Sequence, residues 1–355
     1  MSTPTEKARR ETLAGPDDLI LITGATGFIG RKVVENLQAR GFRRIRCLTR
    51  SRIDSNLTGN SANGRGELEV MHGNLLSCKD CARAVQGAAV VYHLAAARGE
   101  KSFSDAYMNS VVTTRNLLNA LVHGDSVRRF ANVSSFTVYT KRSEVLDESC
   151  PIEEKPALRG EAYCFAKCRQ EEIVQHYGRN HRVPYVILRP GHVYGPGNEG
   201  ISSRVGIGTF GIFLHLGGSN RVPLSYVDNC ADAIVRAGIT PGIDGEIINV
   251  VDDDLPTSRE FLRMYKKYVR HFHSVYLPQP ISYMLCALWE NYSNWSKGQL
   301  PPAYNRRIWY AYWKHGRFSN AKLKQLLQWS PLVTTAEGLN RYFQSCREKN
   351  TLCLG

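Results

Sequence analysis

Apolar, β-branched runs of five to seven residues recur through the first half of this chain, separated by segments of helical periodicity. Residues 19–23 (Leu-Ile-Leu-Ile-Thr), 44–49, 67–71, 89–94, 128–134 and 184–189 carry the first pattern. Residues 28–40, 79–86, 104–122 and 161–180 carry the second. Runs this short and apolar read as strands buried on both faces. Their alternation with helices predicts β-α-β units in an α/β fold with a doubly wound parallel sheet. Ligands of such sheets bind at the carboxyl ends of the strands.

The pattern changes after residue 195. Gly and Pro become frequent, and Thr257-x-x-Glu260 and Thr334-x-x-Glu337 read as capping boxes that open helices. The expected organisation is a loose tail over 1–16, a dinucleotide-binding core over 17–195, and a smaller substrate-binding lobe over 196–350 with elements returning to the core. At 355 residues and 43% hydrophobic, the chain has ample length for a large core. It contains neither a signal-peptide pattern nor a run of about 18 apolar residues, so a cytoplasmic protein with its ten cysteines reduced is expected. Cys78-x-x-Cys81 has no second pair to complete a zinc site, and no metal is expected. The net charge of +14 suits a solvated basic surface, an anionic cofactor or substrate, or an anionic membrane. No nucleic-acid motif is present, and no nucleic-acid partner is expected.

The first strand runs into Thr23-Gly24-Ala25-Thr26-Gly27-Phe28-Ile29-Gly30, a G-x-x-G-x-x-G turn that opens a helix. Glycines let the chain turn tightly and let backbone amides approach a pyrophosphate, which the helix N-terminus attracts. Gly24, Thr26, Gly27, Phe28 and Ile29 are therefore candidate cofactor contacts. The second strand ends in Thr49-Arg50-Ser51-Arg52 with no acid where NAD sites place one. Arg50 suits the 2′-phosphate of NADP, which the pattern favours while leaving NAD open. Asn74 and Leu75 follow the third strand, and Ala95 and Ala96 follow the fourth, where small residues leave room for a ring system.

Tyr163 and Lys167 stand four apart, on one face of a predicted helix. A neighbouring ammonium favours phenolate, which lets a tyrosine exchange a proton with an alcohol or ketone near neutral pH. Ser135, at the end of the fifth strand, is placed to orient a substrate oxygen.

Together with His93-Leu94-Ala95-Ala96, Arg189-Pro190-Gly191-His192-Val193-Tyr194-Gly195-Pro196-Gly197 and Tyr226-Val227-Asp228-Asn229, these motifs resemble the extended short-chain dehydrogenase/reductase superfamily over residues 18–345. The resemblance implies a catalytic Ser135, Tyr163 as acid/base, and Lys167 holding the nicotinamide ribose. It also implies a cofactor contact at Pro190, a structural Asn109 and a homodimer. Dehydratases of the superfamily carry Asp-Glu, and decarboxylases a Glu, where this chain has Phe136-Thr137, so simple hydride and proton transfer remains. Epimerases of nucleotide sugars usually have Asn where this chain has His192, but Arg221 matches their phosphate-binding arginine. Both are candidate substrate contacts. The apolar segment 277–290, with basic and aromatic neighbours, is similar to the 3β-hydroxysteroid dehydrogenase branch and suits peripheral contact with a membrane surface. The expectation is an NAD(P)-dependent oxidoreductase acting on a bulky apolar alcohol or ketone. The alternatives are a 4-epimerase of a nucleotide- or lipid-linked sugar, and a cofactor-dependent binding protein without catalysis.

Overall fold

The computed structural model of the chain describes residues 12–50, 67–96, 102–124, 126–140, 144–209, 211–296, 299–300, 304–314 and 316–352. The first apolar run forms β1 (Leu19–Thr23), buried along its whole length, and leads into α1 (Phe28–Ala39). Gly30, Val33, Val34 and Leu37 are buried on α1, the spacing of one helical face. Next come β2 (Arg44–Thr49), β3 (Glu67–His72), α2 (Cys78–Val85) and β4 (Ala88–His93).

The helix expected over 104–122 is broken into three pieces: α3 (Phe103–Ala106), a π-helical turn (Tyr107–Val112) and α4 (Thr113–Val122). A π-helical turn accommodates one extra residue as a bulge, commonly at a functional site. Thr113 and Thr114 mark its end by donating their hydroxyls back to Ser110 O at 3.0 and 2.6 Å, in competition with the backbone ladder. The first half then closes with β5 (Arg129–Val133), β6 (Val145–Leu146), α5 (Ala162–His181) and β7 (Tyr185–Pro190).

The second half holds β8 (His192–Tyr194), β9 (Gly206–Thr209), β10 (Ile212–His215), β11 (Leu224–Tyr226), α6 (Val227–Ile239) and β12 (Ile247–Val250). It continues with α7 (Ser258–Tyr268), β13 (Ser274–Tyr276), α8 (Gln279–Trp295), α9 (Arg306–Tyr312), β14 (Arg317–Phe318), α10 (Ala321–Leu327) and α11 (Thr335–Leu352). Thr257 and Glu260 form both bonds of a capping box at α7, and Glu337 N donates to Thr334 Oγ1 at 3.3 Å where α11 begins.

Seven parallel strands build the main sheet in the order β3-β2-β1-β4-β5-β7-β12. One face packs apolar residues of α1, α6 and α10, and the other those of α2, α4 and α5. Both β12 and α6 come from beyond residue 195, so the core draws on both halves of the sequence. The smaller lobe joins α7 and α11 through Phe261, Leu262, Tyr342 and Phe343. The reading of residues 1–16 as a loose tail is corrected at its end. Leu13 N donates to Ile239 O at 2.8 Å, and Ala14 is buried in the core under α6. Residues 1–11 lie outside the described residues.

Candidate active site

The strand order reverses between β1 and β4, and this is where a doubly wound sheet opens a crevice. A cavity of about 670 Å³ lies there, lined by the residues that follow β1, β2, β3, β4, β5 and β7. Gly24, Thr26, Gly27, Phe28 and Ile29 form one wall. Gly24 has φ +76°, and a Cβ on it would stand 2.8 Å from Ala95 N. A Cβ on Gly30 would stand 2.1 Å from Gly24 O, so α1 can approach the turn only without one. The N-cap of α1 is Gly27, with no side-chain cap and no acid in the first turn. The first N–H groups of α1 and its positive dipole end are thus available at the cavity wall. This arrangement fits the pyrophosphate of a dinucleotide.

Arg50 lines the same cavity beside Thr49 and is exposed, whereas Ser51 and Arg52 lie outside the described residues. Asn74, Leu75, Ala95 and Ala96 continue the lining. Asn74 accepts Leu76 N–H on Oδ1 at 3.0 Å, and its own N–H donates to Asp80 Oδ2 at 2.9 Å, which fixes the turn after β3.

Ser135, Tyr163 and Lys167 meet at the other side of the cavity. Ser135 caps a short 3₁₀ turn, and its Oγ accepts Thr137 N–H at 3.2 Å. Tyr163 is 37% exposed, and the Lys167 ammonium lies 6.0 Å from its ring centre. Lys167 is buried and donates to Val133 O at 2.7 Å and Gln170 Oε1 at 2.9 Å. Burial pushes its pKa down to about 8, against the pull of Glu171.

A buried polar lattice, not anticipated from the sequence, fixes these elements together. Glu171 accepts from Arg189 Nε at 2.9 Å and Nη2 at 2.6 Å, and from Ser134 Oγ at 2.5 Å. Arg189 Nη1 also donates to Tyr139 Oη at 2.9 Å, and Tyr139 donates to Asn249 Oδ1 at 2.7 Å. The ends of β5, β7 and β12 are thereby tied to α5, next to cavity-lining Pro190. From the lobe, Tyr312 of α9 donates to Glu161 Oε1 at 2.7 Å and lies 3.4 Å from Thr137 Oγ1. Asn109 and Thr113, at and after the π-helical turn, also line the cavity.

His192 lines the cavity, with its backbone N–H donated to Pro223 O at 2.6 Å. Arg221 is not brought to it. This exposed side chain turns its Nη1 to Leu255 O, and its backbone bridges to Thr257. Cys78 is exposed and Cys81 buried, and among the described residues no group of three His, Cys, Asp or Glu is placed to hold a metal. No helix of the described residues is long and apolar enough to cross a membrane.

Comparisons with known proteins agree with this fold. The chain is 24% identical to a 2-alkyl-3-oxoalkanoate reductase of Shewanella oneidensis, over 95% of this chain and 88% of that enzyme. It is 26% identical to a 3-beta-hydroxysteroid dehydrogenase of Mycolicibacterium neoaurum, over 66% of this chain and 67% of that enzyme. Its fold superposes on UDP-glucuronic acid 4-epimerase from Bacillus cereus, solved with UDP-glucuronic acid and NAD. That match has a TM-score of 0.69 and 22% identity, and covers 93% of this chain and 99% of the other. A sequence model of the NAD dependent epimerase/dehydratase family matches residues 20–250. This match, over well more than half of the chain, shows that the protein belongs to that family of NAD-dependent dehydrogenases and epimerases.

Proposed function

We propose that this protein is an NAD(P)-dependent dehydrogenase or reductase acting on the secondary alcohol or ketone of a bulky, largely apolar substrate. The placement of Arg221 carries this reading over the nucleotide-sugar one. The arginine that would clamp a diphosphate does not line the cavity and gives its Nη1 to Leu255 O. The match to the 2-alkyl-3-oxoalkanoate reductase also runs through the C-terminal lobe, at 95% of this chain. Arg50 beside the cavity supports NADP(H) over NAD(H).

When bound, the nicotinamide ring supplies or takes up the hydride. Ser135 Oγ accepts Thr137 N–H, which leaves its own proton to donate to the substrate oxygen. Tyr163 exchanges a proton with that oxygen at its phenol. Lys167 uses two of its three N–H groups on Val133 and Gln170, and its remaining N–H serves the ribose while its charge favours the phenolate. Glycine turn, Asn74, Leu75, Ala95, Ala96 and Pro190 form the rest of the dinucleotide's bed.

The C-terminal segment supports a peripheral membrane contact. Ile281, Met284, Leu285, Leu288, Tyr292 and Trp295 are exposed along one face of α8, and its single charged residue, Glu290, is paired with Arg306 at 2.9 Å. An exposed apolar face of this kind suits contact with a lipid interface. Sedimentation with phosphatidylserine vesicles checks this, and equal binding by Leu288→Glu/Trp295→Glu refutes it.

The 4-epimerase remains the second reading, favoured by the fold match to the Bacillus cereus enzyme and served by the same three residues. Stoichiometric change of added NAD(P)H with substrate supports the dehydrogenase, while product without net cofactor change supports the epimerase. Tyr163→Phe lowers turnover by about 10²–10⁴-fold in either case, with NADH affinity retained. Full activity in that variant rules out the acid/base assignment.

A further inference from the structure

Behind the cavity a chain of buried hydrogen bonds runs from β1 to the ammonium of Lys167. Each link has a defined direction. The Thr114 hydroxyl has one proton, and Ser110 O accepts it at 2.6 Å. Its oxygen therefore accepts from Gln170 Nε2 at 2.7 Å and from His93 Nε2 at 2.8 Å. His93 thus carries its proton on Nε2, and its Nδ1 accepts the Thr23 hydroxyl at 2.7 Å. Burial and the charge of Lys167 push the His93 pKa down to about 3, so the ring stays neutral and this tautomer persists at physiological pH.

The direction of these bonds settles the orientation of Gln170. Its amide nitrogen must face Thr114, so its oxygen must face Lys167, and it does so at 2.9 Å. Gln170 is fully buried, and no flipped amide would satisfy both neighbours. We propose that Gln170 is the positioning residue of Lys167: anchored through Thr114 and His93 to the sheet, its carbonyl oxygen holds the ammonium and aims the remaining N–H into the cavity. This rests on the reading of Lys167 as a cofactor contact.

Charge follows from position. Lys167 faces Glu171 and Tyr163 on its own helix and neutral His93 on β4, and the charge of Glu171 is shared with Arg189 on β7. Val133 O contributes the other acceptor, from β5. In this set Gln170 is the uncharged side chain that favours the protonated amine. Its loss moves the lysine further toward the neutral form, and an acid in its place moves it back.

The test is the pH dependence of NADH and NADPH affinity, read from cofactor fluorescence on the full chain. Wild-type affinity is expected to fall as pH rises through about 8, where Lys167 loses its charge. Gln170→Leu is expected to move that midpoint down by about one pH unit, and the near-isosteric Gln170→Glu to move it up by a similar amount. Circular dichroism verifies folding, and Gln170→Glu keeps the test decisive where the leucine variant does not fold. Midpoints that coincide, or that move in the same direction in both variants, overturn the proposal. Lys167→Met reports on the underlying reading separately. It should abolish the transition, and a transition that persists there overturns the role of Lys167 itself.

Discussion

The pairing of Glu171 with Arg189 should be the most sensitive point in the scaffold that holds α5. Glu171 is fully buried and Arg189 is 3% exposed, and they meet through two bonds of 2.9 and 2.6 Å. Glu171→Gln keeps the shape but leaves the Arg189 guanidinium buried without a counter-charge. Removing one partner of a buried pair costs about 3–5 kcal/mol. Part of that cost is softened here, because Arg189 Nη1 keeps Tyr139 and the glutamine oxygen still accepts one bond. A loss of about 3 kcal/mol is therefore expected, seen as a lower urea midpoint by tryptophan fluorescence. Arg189→Met should cost a similar amount. The double variant Glu171→Gln/Arg189→Met should cost well below the sum, with a coupling of about 2 kcal/mol. A loss below about 1 kcal/mol in Glu171→Gln, or additive single costs, would refute the view that this pair is a charge-compensated unit.

Three further outcomes are expected. Gly30→Ala places a Cβ 2.1 Å from Gly24 O, so α1 must back away from the turn, and NADH affinity should fall by more than about tenfold in a fluorescence titration. Arg50→Ala should weaken NADPH by about tenfold and leave NADH unchanged, and equal affinities in wild type and variant remove the 2′-phosphate assignment. Asp252 is buried and its pKa is pushed up to about 6, so the native state holds its proton where the unfolded chain, near 3.8, has released it. Its contribution to stability is therefore greatest below about pH 4 and is lost as pH rises through 6. Asp252→Asn should flatten this part of the urea-midpoint profile by ~2 kcal/mol between pH 4.5 and 7, and an unchanged profile shows that Asp252 titrates normally.

Local pattern alone determined much of this protein. The G-x-x-G-x-x-G turn, the strand before it and the helix after it are adjacent in sequence, so hydrophobic period and glycine spacing define them directly. Tyr163 and Lys167 share a helix face because they are four residues apart, whatever surrounds them. The order of strands and helices likewise predicted a parallel sheet, and the cavity at its strand ends followed from that topology.

Tertiary structure decided what depends on residues distant in the chain. Gln170 meets Thr114 across 56 positions, and Tyr312 meets Glu161 across 151. Periodicity marks which face of an element is buried but is silent on which polar group will be its partner. For the same reason Arg221 could be matched to a motif, while only folding showed that Leu255 O takes its Nη1. The π-helical turn at Tyr107–Val112 was invisible because its sequence carries ordinary helical periodicity, and the exception lies in backbone bonding. The apolar segment near residue 280 was evident by composition, but its exposed face became defined only when α9 covered the other side through Trp309, whose indole donates to Ser282 at 2.9 Å. Side-chain identity is local, whereas burial and pairing are properties of the packed whole.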